Sequence, residues 1–118
     1  MTDADTTVQQ LREAMQQFVA ERQWERYHTP KNLVMGLAIE TAELMEHFLW
    51  LDVEESRQRG NDPRYREAIA DELADVCCYV LALANALKLD LSAAVEAKLE
   101  KNAHKYPVER YRGRFEPD

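Results

Sequence analysis

The chain has 118 residues, of which 46% are hydrophobic and 31% charged, and a formal net charge of -7. That length supports one domain with a modest core. The acidic balance lacks the basic footprint of a protein that binds a nucleic-acid polymer, but it admits a small anionic ligand if a metal supplies the positive charge.

With 3 Gly and 4 Pro, long stretches run without breakers. Residues 1–6 are expected to fray. They belong to a polar, acidic start without a signal-peptide pattern. A first helix is expected over 7–26, with Val8, Leu11, Met15, Phe18 and Val19 on one stripe. Thr29 followed by Pro30 reads as an N-cap with proline in the first turn, opening a second helix over about 30–57. Residues 60–63, Gly-Asn-Asp-Pro, break it, and Asp62-Pro63 repeats the cap signal for a third helix to about 88. Asp90 or Ser92 caps a fourth helix that ends before Pro107. Residues 108–118 are expected to be an irregular tail. No segment alternates with period two, so the expected fold is all-α, a four-helix-bundle-like single domain over 1–118.

The third helix is apolar nearly all round. Ile69, Leu73, Val76, Val80, Leu83 and Leu87 form a heptad seam, and Ala70, Ala74, Cys77, Leu81 and Ala84 lie opposite. Such a helix must be covered on every side, which predicts a homo-oligomer. Its longest apolar run, 76–84, is too short to span a bilayer. The adjacent cysteines, Cys77 and Cys78, point about 100° apart and are poor disulfide partners. They read as packing residues in a reducing cytoplasm.

Two acidic motifs interrupt these apolar helices, Glu40-x-x-Glu43 and Glu72-x-x-Asp75, separated by the 28 residues 44–71. Carboxylates three apart share a helix face. Turned into a core, four of them repel one another and lose solvation, and a divalent cation relieves both costs. Oxygen-only ligation suits a hard ion, Mg²⁺ or Mn²⁺. On the second helix Gly36, Glu40, Glu43, His47 and Trp50 share one stripe, and on the third Glu72, Asp75 and Tyr79 share another. Antiparallel packing would set the motifs face to face. Glu46 lies off the stripe as an auxiliary carboxylate, and Asp71 is assigned to the surface. A di-iron bundle needs Glu-x-x-His on two helices. His47 lies four residues after Glu43 and the third helix has no histidine, so that reading fails.

A second constellation is aromatic and basic. Trp24, Tyr27 and His28 precede the second helix and Trp50 ends its stripe. Such rings stack a base, or serve as core. Lys98, Lys101, Asn102 and Lys105 cluster on the fourth helix before Tyr106, where they hold phosphate oxygens or favour the helix C-terminus.

Together these residues resemble the all-α nucleotide pyrophosphohydrolases, the MazG-like superfamily, and its dCTP pyrophosphatase branch most closely. The likeness spans about 11–107. It is carried by the segment from Trp24 through His28 and Pro30 to Leu33, by Glu40 to Trp50, by Asp71 to Tyr79, and by Lys98 to Pro107. It implies Mg²⁺-dependent cleavage of a nucleoside triphosphate to monophosphate and pyrophosphate, in a cytoplasmic house-cleaning role. It implies paired subunits, with a tetramer favoured over a dimer. By motif, Glu40, Glu43, Glu72 and Asp75 would hold the metal, with Glu40 or Glu43 activating water. Trp24, Tyr27, His28, Trp50 and Tyr79 would line the nucleotide pocket, and Lys98, Asn102 and Tyr106 would reach the phosphates. One departure concerns the first helix, where vertebrate dCTP enzymes offer a histidine and this chain has Met15; base choice therefore stays open. The rival reading is a non-catalytic helical oligomer whose carboxylates bind divalent ions structurally.

Overall fold

The computed structural model describes residues 1–116, and among them every regular element is helical. The order is α1 (Val8–Glu21), a 3-10 turn (Glu25–Tyr27), α2 (Pro30–Glu46), α3 (Val53–Asn61), α4 (Pro63–Leu87), α5 (Leu91–Lys105) and α6 (Val108–Tyr111). The chain falls into two compact units, Met1–Lys88 and the residues from Leu89 onward.

In the first unit α4 is the central element, packed by α1, α2 and α3. Its start is as expected: the Asp62 side chain caps Arg64 N–H, and Pro63 occupies the first turn. Thr29 caps α2 by accepting from Asn32 N–H at 3.3 Å. Asn85, one of the few polar residues on α4, is tied to α1. It accepts from Arg12 Nε at 3.0 Å and donates to the Arg12 carbonyl at 3.0 Å. Removing either partner strands the other group, at a cost of about 1–3 kcal/mol.

Several boundaries differ from expectation. Residues 1–6 lie outside any helix, with a local turn in which Asp5 N–H bonds the Thr2 carbonyl and the Asp5 carboxylate accepts from Thr2 N–H at 2.8 Å. Helix α1 stops at Glu21 rather than 26. Gln23 turns left-handed (φ 53°), its N–H bonds the Ala20 carbonyl and Trp24 N–H bonds that of Val19, which closes the helix as a Schellman motif. The expected 30–57 helix is two helices. Helix α2 ends at Glu46, a turn follows in which Trp50 is left-handed (φ 71°), and Asp52 caps α3 by accepting from Glu55 N–H at 2.8 Å. Gly60 and Asn61 stay within α3, so the break falls at Asp62. Trp50 is therefore off the α2 stripe.

The second unit contains α5, capped by Asp90, and the short α6, which places a helical turn where an irregular tail is expected. Pro117 and Asp118 of that tail lie outside the described residues.

Burial is sparse. Among the described residues the buried apolar side chains are Val19, Leu33, Leu81, Ala82 and Ala84. Leu73 and Leu87 of the expected seam are exposed, as are Val34, Met35, Ile39 and Met45 on α2. Cys77 is also exposed rather than a packing residue, whereas Cys78 is half-buried. No single helix among the described residues is long and apolar enough to cross a membrane.

Candidate active site

Helices α2 and α4 bring the two acidic motifs together. Glu40, Glu43 and Glu72 each offer a carboxylate oxygen within 4.8 Å of the others. The pairing descends along α4 as it climbs α2. Gly36 meets Tyr79, Glu40 lines a cavity with Asp75, and Glu43 and His47 act on Glu72. The helices are thus antiparallel along this groove, as the motif spacing requires.

The cluster is electrostatically unresolved within the protein. Glu40 Oε2 and Glu72 Oε2 are buried without a hydrogen-bond partner among the described residues. The Glu40 carboxyl is pushed up to about 7. Its largest cause is a hydrogen bond with Glu43, which needs a shared proton; desolvation and the charges of Glu43, Asp75 and Glu72 add to it. Glu72 is also raised, first by desolvation and then by the charge of Glu43, with His47 partly offsetting. Buried anions without partners are costly. An all-oxygen donor set with two orphaned oxygens fits a hard divalent cation. Asp75 lies outside the close triad, but its charge reaches both Glu40 and Glu72. Glu46 and Asp71 are exposed.

Beside the carboxylates opens a cavity of about 390 Å³, lined by Met15, Phe18, Trp24, His28, Glu40, Asp75, Cys78 and Tyr79. Its size lies in the range of roughly 300–1,000 Å³ common to small-molecule sites. The closure of α1 builds one wall, because the left-handed Gln23 folds Trp24 back onto Phe18, edge to face with centroids 6.0 Å apart. The Arg22 guanidinium covers the Phe18 ring at 3.6 Å. Burial pushes the Cys78 thiol up, keeping it neutral on the cavity wall.

Of the expected pocket residues, the structure brings Trp24, His28 and Tyr79 to this cavity. Two stay outside it in the single chain. The Tyr27 hydroxyl accepts from Arg26 Nη2 at 2.6 Å and its carbonyl accepts from Asn32 Nδ2 at 3.1 Å, which ties it to the entry of α2. Trp50 is 91% exposed on its left-handed turn. Lys98, Asn102 and Tyr106 belong to the second unit. There Lys98 is exposed on α5, Asn102 is half-buried, and Tyr106 N–H caps the Asn102 carbonyl at 2.7 Å. Phe18 and Cys78 line the cavity without having been singled out for it, since helical periodicity reads both as core. Met15 also lines it, at the position where the sequence resemblance expects a residue facing substrate.

Proteins of known fold or name match the chain over most of its length. The crystal structure of a pyrophosphatase from Archaeoglobus fulgidus DSM 4304 superposes with a TM-score of 0.81 at 34% identity, covering 91% of this chain and 98% of that one. The chain is 39% identical over 110 residues to dCTP pyrophosphatase 1 of Bos taurus, which covers 93% of this chain and 65% of that protein. It is 39% identical over 104 residues to dCTP pyrophosphatase 1 of Homo sapiens, covering 88% and 61%. The chain thus spans less than two thirds of the length of these relatives. The model of the MazG-like family matches residues 36–114, a stretch that contains both acidic motifs, the later part of α2 and all of α4. An all-α chain with paired carboxylate motifs, matched over most of its length, belongs to the MazG-like family.

Proposed function

We propose that the chain is a nucleoside triphosphate pyrophosphohydrolase, cleaving a deoxynucleoside triphosphate to monophosphate and pyrophosphate with Mg²⁺. The observation that carries this reading is the triad of Glu40, Glu43 and Glu72, with its two orphaned oxygens, opening onto an aromatic cavity. Likeness to proteins named dCTP pyrophosphatase 1 and to a solved pyrophosphatase supports the same class. dCTP or a modified nucleotide is the proposed substrate. Removing such nucleotides from the precursor pool in the cytoplasm is the proposed role.

Glu40, Glu43 and Glu72, joined by Asp75, are the groups that would hold the cation. A divalent cation held by these carboxylates would supply positive charge to offset that of the triphosphate and would polarise its phosphorus. Glu40 or Glu43 orients and deprotonates the attacking water. Trp24 offers its face to the base, with His28 and Tyr79 bordering it. Lys98, Asn102 and Tyr106 are assigned to the phosphates on the strength of the motif they share with the family. The working form is a homo-oligomer, a tetramer in preference to a dimer. The exposed apolar side chains of α2 and α4 support association, since patches of this kind mark interfaces, and Tyr27 and Trp50 are assigned to a pocket completed there.

Incubation with deoxynucleoside triphosphates and Mg²⁺, with product analysis, tests the reaction class. Pyrophosphate and a monophosphate are expected. Orthophosphate would assign a different phosphatase chemistry. A Mg²⁺-dependent rise in Tm without turnover of any nucleotide would make the site structural.

A further inference from the structure

Gly36 stands in the interior of α2, where glycine is the least favourable residue after proline. Its φ is an ordinary helical one, so no left-handed turn requires it. The reason is steric. A Cβ built on Gly36 would overlap Tyr79 Cε1 and fall 2.7 Å from Cζ and 3.0 Å from Cδ1. One edge of the Tyr79 ring thus rests directly on the α2 backbone. The same ring lines the cavity, and Glu40 lies one helical turn further along α2 from Gly36. The depth at which Tyr79 sits against α2 therefore fixes the distance between the aromatic wall and the carboxylate end of the groove.

Resting on the function proposed above, we infer that Gly36 is a positioning residue for nucleotide selection: by lacking a side chain it holds the Tyr79 ring back against α2 and sets the width of the base pocket. The three atoms nearest a Cβ at Gly36 all belong to the Tyr79 ring, so a side chain there strikes the ring and not the carboxylates of Glu40, Glu43 and Glu72. No flexible side-chain end lies at the point of overlap. The clash is with ring atoms, and the space open to a displaced ring is the cavity itself.

The test is Gly36→Ala, read alone and in a Tyr79→Ala background. Alanine favours a helix, so on propensity alone the variant would gain stability; the clash predicts that its Tm falls instead. KM is expected to rise about tenfold, most for purine nucleotides, with kcat and Mn²⁺ affinity little changed. In the Tyr79→Ala background the same substitution should leave KM unchanged, since the group it strikes is gone. A crystal structure of Gly36→Ala should show the Tyr79 ring displaced into the cavity. That readout stands even if the wild-type chain hydrolyses no nucleotide, an outcome that would overturn the proposed reaction alone. An undisplaced ring, or a KM effect that persists without the Tyr79 side chain, overturns the positioning role.

Discussion

The groove between α2 and α4 has two unlike ends. At one, Glu40, Glu43 and Glu72 crowd their charges and leave two buried oxygens without partners. At the other, Tyr79 rests on Gly36, and Trp24 packs edge to face on Phe18. The first end lacks a positive charge to offset its own. The second is held by shape. They share a cavity through Glu40, Asp75 and Tyr79, so changes at one end should register in chemistry and at the other in affinity.

The largest separation between them is expected from Glu43→Gln. Removing one carboxylate from the triad should lower kcat by about 100-fold or more, the scale of losing one preorganised electrostatic group. Helical circular dichroism should be unchanged, because glutamine matches glutamate in size and shape and is as good a helix former. Undiminished turnover would remove Glu43 from the mechanism. Trp24→Ala acts at the other end. Base stacking is worth about 1–3 kcal/mol, so KM should rise about tenfold or more while kcat changes little. A matching fall in kcat would blur the division of labour between the ends.

A smaller effect is expected from pH. The Glu40 carboxyl is raised from 4.5 to about 7 in the folded protein. Between those values the folded chain binds more protons than the unfolded one, so metal-free stability falls as pH rises through that window. Cation binding needs the carboxylates ionised, so affinity rises over the same range. Thermal melts in EDTA from pH 5 to 8 should show a declining Tm, and Mg²⁺ should restore it most at the upper end. A flat metal-free profile would contradict the crowding of the triad.

The two ends also differ in how far the sequence discloses them. The carboxylate end is readable because metal ligands must be acidic and must recur at helical spacing; Glu40-x-x-Glu43 and Glu72-x-x-Asp75 satisfy both. The caps at Thr29 and Asp62, each followed by proline, are equally readable and open α2 and α4. The aromatic end depends on contacts no periodicity encodes. Gln23 adopts a left-handed conformation that glycine or asparagine would have announced, and that turn is what aims Trp24 at Phe18. Trp50 reads as a continuation of the α2 stripe only if the helix runs on to 57. The signal against it, Asp52 three residues before Glu55, is a cap that the apolar pattern overshadows. Gly36 shows the same limit: its place on the stripe is evident, but its purpose appears only with Tyr79 beside it. On α4, the heptad seam predicts burial for Leu73 and Leu87, yet one chain leaves both exposed.

The triad of Glu40, Glu43 and Glu72 is proposed to be one cation site. Mn²⁺ binding followed by electron paramagnetic resonance tests it most directly, comparing the wild-type chain with Glu72→Gln. Saturable Mn²⁺ binding is expected in the wild type, weakening by about 10-fold or more in the variant, as loss of a ligand oxygen requires. Equal Mn²⁺ affinity in the two proteins would contradict it.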